Sequence, residues 1–181
     1  MRSLAKRPRL LLLDANAVFA AFRYGAWDGL CAAYEVVVPA TVVRVEAMFY
    51  DSRETGRRVY LDLPALVDAG TITEYAAGAV ELADTLARFR PPFRQRLDPG
   101  EAEAIAYLLT HPDGDLAFVT SAASALEAVA MLGIAERAMC LAEVLRLCGL
   151  ERTLPRQHGV DFFRQHIQIG LRRFVTREGL E

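Results

Sequence analysis

The sequence predicts an α/β protein, a three-layer α/β/α sandwich around a central, mainly parallel sheet. Two observations predict it. Short apolar runs recur at Leu10-Leu-Leu-Leu13, Val36-Val-Val38 and Leu116-Ala-Phe-Val119, and they lack the alternation of a half-solvated strand, as expected of strands buried on both faces. Each run is followed by a segment of helical periodicity, and strand then helix in repetition is the pattern of parallel βα units. A length of 181 residues suits one such domain, placed at residues 1–150, with residues 151–181 as a C-terminal helical extension packed on it.

Taken in order, the first strand stops at Asp14, and residues 15–34 read as a helix carrying Val18, Phe22 and Leu30. The second strand, 35–38, is stopped by Pro39. Thr41 then reads as the N-cap of a helix to about Ser52, with Val42, Val43, Phe49 and Tyr50 on one face. Residues 59–63 suggest a strand, 65–68 a short helix and 71–75 another extended piece. A helix over 79–89 ends before Pro91-Pro92. Asp98-Pro99-Gly100-Glu101 opens the next helix, with Asp98 as N-cap, Pro99 at the first helical position and Glu101 three residues after the cap. The strand 116–119 precedes a helix over 121–132 closed by Gly133; a fourth parallel strand at 138–141 and a helix over 142–148 follow. Residues 162–174 form an amphipathic helix with enough apolar surface to dock on its own domain.

Composition excludes several classes. The chain has 21 Lys and Arg against 23 Asp and Glu, a formal net charge of −2, so it is neither a basic nucleic-acid coat protein nor an acidic tail protein. A nucleic-acid partner needs a local basic patch. Lys6 is the only lysine, and that skew is not read as phosphate recognition. Cys31, Cys140 and Cys148 have no C-x-x-C spacing, which indicates neither a disulfide framework nor a zinc site and makes a reducing cytoplasm the default location. The start imitates a signal peptide until Asp14 and Asn16 cut its apolar run, and no stretch is long enough to span a bilayer, so no membrane partner is expected.

Three carboxylates stand where chemistry is expected. Asp14 directly follows four leucines, at the strand end where open parallel sheets bind ligands; a catalytic or metal-binding role competes there with a helix N-cap. Glu46 falls inside the apolar stripe of its helix, so a cation should be near it, either an arginine such as Arg44 or Arg23, or a metal. Glu101 shares a face with Ile105 and Leu108, while Glu103 points about 200° away, so Glu101 is the better ligand candidate and the capping box its rival role. Oxygen donors from three separate segments suit a hard cation such as Mg²⁺ or Mn²⁺, which serves phosphoryl chemistry by activating water. His111, His158 and His166 form no zinc pattern and read as surface residues.

These residues resemble a PIN-domain nuclease over about Leu10 to Gly149. The elements are Leu-Leu-Leu-Asp14-Ala-Asn16-Ala-Val, Val38-Pro-Ala-Thr-Val-Val-Arg-Val-Glu46, Asp98-Pro-Gly-Glu101-Ala-Glu-Ala-Ile-Ala106, and Phe118-Val-Thr-Ser121 leading to Ala130-Met-Leu-Gly-Ile134. The resemblance implies that Asp14, Glu46 and Glu101 bind Mg²⁺ or Mn²⁺ for hydrolysis of RNA, single-stranded or structured, with Asn16 orienting the first carboxylate and Glu103 in support. It also implies a toxin of the toxin-antitoxin kind, with an antitoxin protein and a second copy of the chain as partners. One departure stands out: the family places an aspartate after the strand 118–120, and here Ser121 and Ala122 follow. Loss of an acid should weaken a second metal most. Ser121 could orient a metal-bound water or cap the following helix.

The segment Arg88-Phe89-Arg90-Pro-Pro-Phe93-Arg94-Gln-Arg96 is the densest basic stretch. Its arginines could grip phosphates while a phenylalanine stacks on an unpaired base, or it is a solvated loop anchored by its phenylalanines. Arg53, Arg57 and Arg58 form a lesser cluster. The residues admit other classes. A PIN-fold binding or regulatory module with weak or no cleavage accounts for Ser121. A phosphatase of the haloacid dehalogenase type would need a second aspartate where Asn16 stands, and no G-x-G-x-x-G marks a dinucleotide enzyme.

Overall fold

The structure is a computed structural model that describes residues 8–112 and 114–181, and Lys6 lies outside them. The chain opens with strand β1 (Leu10–Leu13), helices α1 (Ala15–Arg23) and α2 (Trp27–Ala33), and strand β2 (Glu35–Pro39). The single helix expected over 15–34 is two, because Gly25 takes a φ of 63° and turns the chain between them. Beyond β2, the helix expected to reach Ser52 is one π-helical turn, Val42–Glu46, closed by the Ala47 N–H donating to the Val42 carbonyl at 2.9 Å. Thr41 is itself helical and its side chain caps nothing.

Phe49 and Tyr50 belong to strand β3 (Phe49–Asp51), which pairs antiparallel with β4 (Arg58–Tyr60). Phe49 faces Tyr60 directly across the hairpin, with ring centroids 5.6 Å apart. Such a cross-strand aromatic pair stabilises the hairpin, and this overrides the helical spacing that the sequence suggests. The remainder is α3 (Leu63–Asp68), β5 (Thr73–Tyr75), α4 (Ala79–Leu86), the short α5 (Pro91–Arg94), α6 (Pro99–Thr110), β6 (Leu116–Val119), α7 (Ala123–Met131), β7 (Ala138–Met139), α8 (Leu141–Leu147) and α9 (Val160–Thr176).

The central sheet has the order β5-β2-β1-β6-β7 and every neighbouring pair is parallel. Leu12 of β1 sits opposite Val37 on one side and Phe118 on the other. Alternation along these strands sorts their side chains between two cores. Leu11, Leu13, Val36, Val38, Ala117 and Val119 pack with α1, α2 and α8, whereas Leu12, Val37 and Phe118 pack with α6 and α7. Helices therefore cover both faces, which is why the strands are apolar throughout and why the fold is the three-layer α/β/α sandwich. Among the described residues no helix is long and apolar enough to cross a membrane.

Helix α9 lies along α7, and the two approach most closely at Gly170. A β-carbon there would stand 2.4 Å from the Glu127 carbonyl oxygen and 2.6 Å from Ala130 Cβ, so backbone would have to move. Gly170→Ala is expected to destabilise the protein by about 1–3 kcal/mol, as overpacking does, despite alanine's better helix propensity. A denaturation midpoint equal to or above the parent's would show that α9 is only loosely docked.

Candidate active site

In a sheet of this order the chain reverses direction across the sheet between β1 and β6, and the crevice at their carboxyl ends is the switch point where such folds bind ligands. Asp14 follows β1 at that crevice, and Thr120 and Ser121 follow β6. Asp14 is 2% exposed. Its Oδ1 accepts from the Ala17 N–H at 2.7 Å, and its Oδ2 accepts from the Thr120 hydroxyl. Asp14 is thus the N-cap of α1, and its carboxylate also lies at the crevice.

The π-helical turn presents Glu46. A π-turn displaces its residues from the ordinary helical positions and is common at functional sites. Glu46 Oε1 accepts from the Gly100 N–H at 3.1 Å, and a β-carbon on Gly100 would stand 2.5 Å from Glu46 Oε2 and 2.7 Å from Val42 Cγ2. Glycine at that place lets the start of α6 approach the turn. Glu101, on the first turn of α6, accepts at Oε2 from the Ser124 hydroxyl at 2.8 Å and from the Asp98 N–H at 3.3 Å.

Burial, the largest effect, raises the Asp14 carboxyl to a pKa of about 6; bonds from Thr120 and Ala17 lower it, and the charges of Glu46 and Asp98 raise it further. Burial likewise raises Glu101 to about 7, opposed by the Ser124 hydroxyl and reinforced by the charges of Asp98 and Asp14. Glu46 is also raised, by desolvation first, against the Gly100 N–H, with Asp98 and Glu103 pushing it up. Asp14, Glu46, Asp98 and Glu101 therefore share one field of mutual repulsion. None of them forms an ion pair with a described arginine, lysine or histidine. Neither arginine expected beside Glu46 pairs with it: Arg44 forks onto Glu74 with two bonds of 2.6 Å, and Arg23 forms no ion pair with Glu46. Among the described residues no three His, Cys, Asp or Glu side chains are already arranged as a metal-holding group.

The shifts predict a pH dependence. A carboxyl that binds its proton more tightly folded than unfolded stabilises the fold below its unfolded pKa, about 4.3 for Glu, and this contribution is lost as pH rises through the folded value. Glu101→Gln removes the titration, so the variant is expected to gain stability relative to the parent steadily as pH rises from about 4 to 7, with little further change above that. A melting-temperature difference between the two that does not vary with pH would contradict the placement of Glu101.

Other expected site residues are placed differently. Asn16 is exposed and makes no bond to Asp14; the orienting group is Thr120, whose Oγ1 also accepts from the Ala122 N–H at 3.0 Å. Ser121 is not the cap of α7: the cap position is Ala122, and the Ser121 hydroxyl, 8% exposed with its residue, bonds to no described residue. Glu103 is a brace, accepting from the Thr41 and Ala77 N–H groups at 2.9 Å each, and it reaches the site only through its charge on Glu46. Asp98, read from sequence only as a cap, belongs to the acidic field; its capping position one turn before Glu101 was the available signal.

In the basic stretch, Phe89 and Phe93 are buried in the core and unavailable for stacking on a base. Arg96 is held by Glu127 at 3.0 Å, whereas Arg88, Arg90 and Arg94 are exposed and unpaired among the described residues. His158 is buried and His166 pairs with Glu127, so of the three histidines only His111 is at the surface as expected. No protein-family model, curated protein or solved structure matches this chain.

Proposed function

We propose that the chain is a Mg²⁺- or Mn²⁺-dependent ribonuclease of PIN type. The observation that carries this reading is the field of Asp14, Glu46, Asp98 and Glu101: four carboxylates from three segments, two raised to pKa values of about 6 and 7, at the switch point of a parallel sheet and with no described cation to neutralise them. An all-oxygen donor set fits a hard divalent cation, and Asp14, Glu46 and Glu101 would hold it. When bound, such an ion lowers the pKa of water and neutralises charge on a phosphodiester. The chain's own part is positioning. Thr120 and Ala17 fix both oxygens of the Asp14 carboxylate, while Gly100 holds one oxygen of Glu46 and Ser124 one oxygen of Glu101, which leaves each glutamate a second oxygen without a bond to a described residue. RNA as substrate, an antitoxin protein and a second copy of the chain as partners, and the cytoplasm as location follow from the resemblance of the motifs. The exposed Arg88, Arg90 and Arg94 supply local positive charge for the strand.

Ser121 favours a second reading, a binding module with weak cleavage, because no acid follows Thr120. Cleavage of labelled RNA with and without Mn²⁺ separates the two, with Glu46→Gln as the inactive control. Ser121→Asp is expected to raise Mn²⁺ affinity and cleavage together under the nuclease reading. Uncut RNA retained by the parent at millimolar Mn²⁺, with no gain in Ser121→Asp, would establish the module instead.

A further inference from the structure

We propose that the cavity along α1, from Asn16 to Tyr24, is a nucleobase subsite, which takes one unpaired base of an RNA strand whose backbone crosses the acidic crevice; it rests on the nuclease reading for that strand. The cavity has a volume of about 320 Å³, and three segments distant in sequence build it: α1, the β3–β4 hairpin, and the short helical turn Arg156–His158. That volume lies at the small end of the usual range for ligand sites, roughly 300–1,000 Å³, enough for one heterocycle and its sugar.

Its walls have the chemistry that recognises bases. Phe19, Tyr24, Phe49 and Tyr50 present aromatic surface. Behind these walls the Arg53 guanidinium lies 4.8 Å from the Tyr24 ring centroid and the Arg58 guanidinium 5.7 Å from that of Phe49, so cations flank two of the rings although Arg23 and Asp51 are the charged residues of the lining itself. Phe49 is 45% exposed despite its size. Asn16 and Gln157 are exposed amides with no bond to a described residue, and each offers both a donor and an acceptor, the mixture that a base edge presents. His158 lines the same cavity, and its Nδ1 is the one buried side-chain nitrogen or oxygen among the described residues without a hydrogen-bond partner. Burial holds that imidazole below its ordinary pKa, hence neutral and able to accept.

The cavity is also in the right place. Asn16 is two residues beyond Asp14 in the turn that Asp14 caps, and Phe49 is three residues beyond Glu46. A base in the cavity would leave its phosphates beside the carboxylates, with Arg23 on the cavity wall to meet one of them.

The test uses the full chain carrying Asp14→Asn, in EDTA, titrated calorimetrically with adenosine and uridine 5′-monophosphates and with ribose 5-phosphate as the base-free probe. At least one nucleotide is expected to bind tenfold or more tightly than ribose 5-phosphate, and Asn16→Ala combined with Phe49→Ala is expected to erase that preference. Gln157→Ala alone should reduce it severalfold. Equal binding of nucleotides and ribose phosphate, or an undiminished preference in variants whose circular dichroism is native, would overturn the subsite. Cleavage by the parent is scored separately: base-dependent binding without Mn²⁺-dependent cleavage upholds the pocket and removes the nuclease, while cleavage without base-dependent binding removes the pocket alone.

Discussion

Asp14→Asn is expected to reduce Mn²⁺-dependent RNA cleavage on the order of 10³-fold, about 4 kcal/mol of transition-state stabilisation, while making the folded protein more stable at pH 8. The two effects share one cause. The carboxylate is 2% exposed, sits near Glu46 and Asp98, and has a pKa of about 6. Keeping it ionised above that pH costs on the order of 2–3 kcal/mol relative to the unfolded chain, at 1.36 kcal/mol per pH unit. Asparagine is nearly isosteric, retains an oxygen to accept from the Ala17 N–H, and carries no charge. For a chain of this length 1 kcal/mol is worth roughly 2–4 °C, so a rise of several degrees is expected at pH 8 and little or none at pH 4, where the parent's acid is protonated too. Activity retained in the variant would remove Asp14 from the site. A variant less stable than the parent at pH 8 would show that its hydrogen bonds outweigh its burial.

Glu127→Ala is expected to destabilise the fold by about 3–5 kcal/mol, more than Gly170→Ala. Glu127, on α7, is 3% exposed; Oε2 accepts from Arg96 Nη1 at 3.0 Å and Arg173 Nη1 at 2.7 Å, and Oε1 lies 3.0 Å from His166 Nδ1. These partners come from the segment before α6 and from α9, so one carboxylate ties both to α7. Its removal leaves two guanidinium groups converging on a site whose one remaining acid among the described residues is the exposed Glu178, 3.8 Å from Arg173 Nε. Arg96 is 40% exposed and can turn to water, which places the expected value toward the lower end, whereas Arg173 at 24% is more confined. Urea unfolding measures the loss, and amide exchange in α9 should accelerate more than that in β1. A loss below about 1 kcal/mol would mean that the cluster is surface electrostatics only.

The contrast between Glu127 and the crevice acids shows what could be read in advance. Glu127 and Asp14 are both buried carboxylates on or beside helices, and burial alone does not distinguish them. Glu127 is met by Arg96, His166 and Arg173, which are 31, 39 and 46 residues away, while Asp14 is met by the hydroxyl of Thr120, 106 residues away. Asp14 and Glu101 were legible because a carboxylate ending an apolar strand, or opening a helix behind a proline cap, stands at a place that the βα pattern defines. Glu46 was legible for a partly mistaken reason: the stripe that singled it out includes Phe49 and Tyr50, which belong to a hairpin strand. Asn16 was legible as a polar residue beside Asp14 but not as part of a cavity wall, because its neighbours there come from β3 and from residues 155–158.

The sequence by itself determined the α/β class, the parallel strands and their order along the chain, and the positions of the carboxylates at strand ends and helix starts. These follow from hydrophobic periodicity and caps, which act over a few residues. Only the tertiary structure decided which acids face no described cation, which arginines are consumed by Glu74 and Glu127, that Phe89 and Phe93 are core, and that Thr120 rather than Asn16 holds Asp14. A side chain's burial and pairing depend on contacts between segments that the chain brings together only by folding, and a pKa is the sum of those contacts.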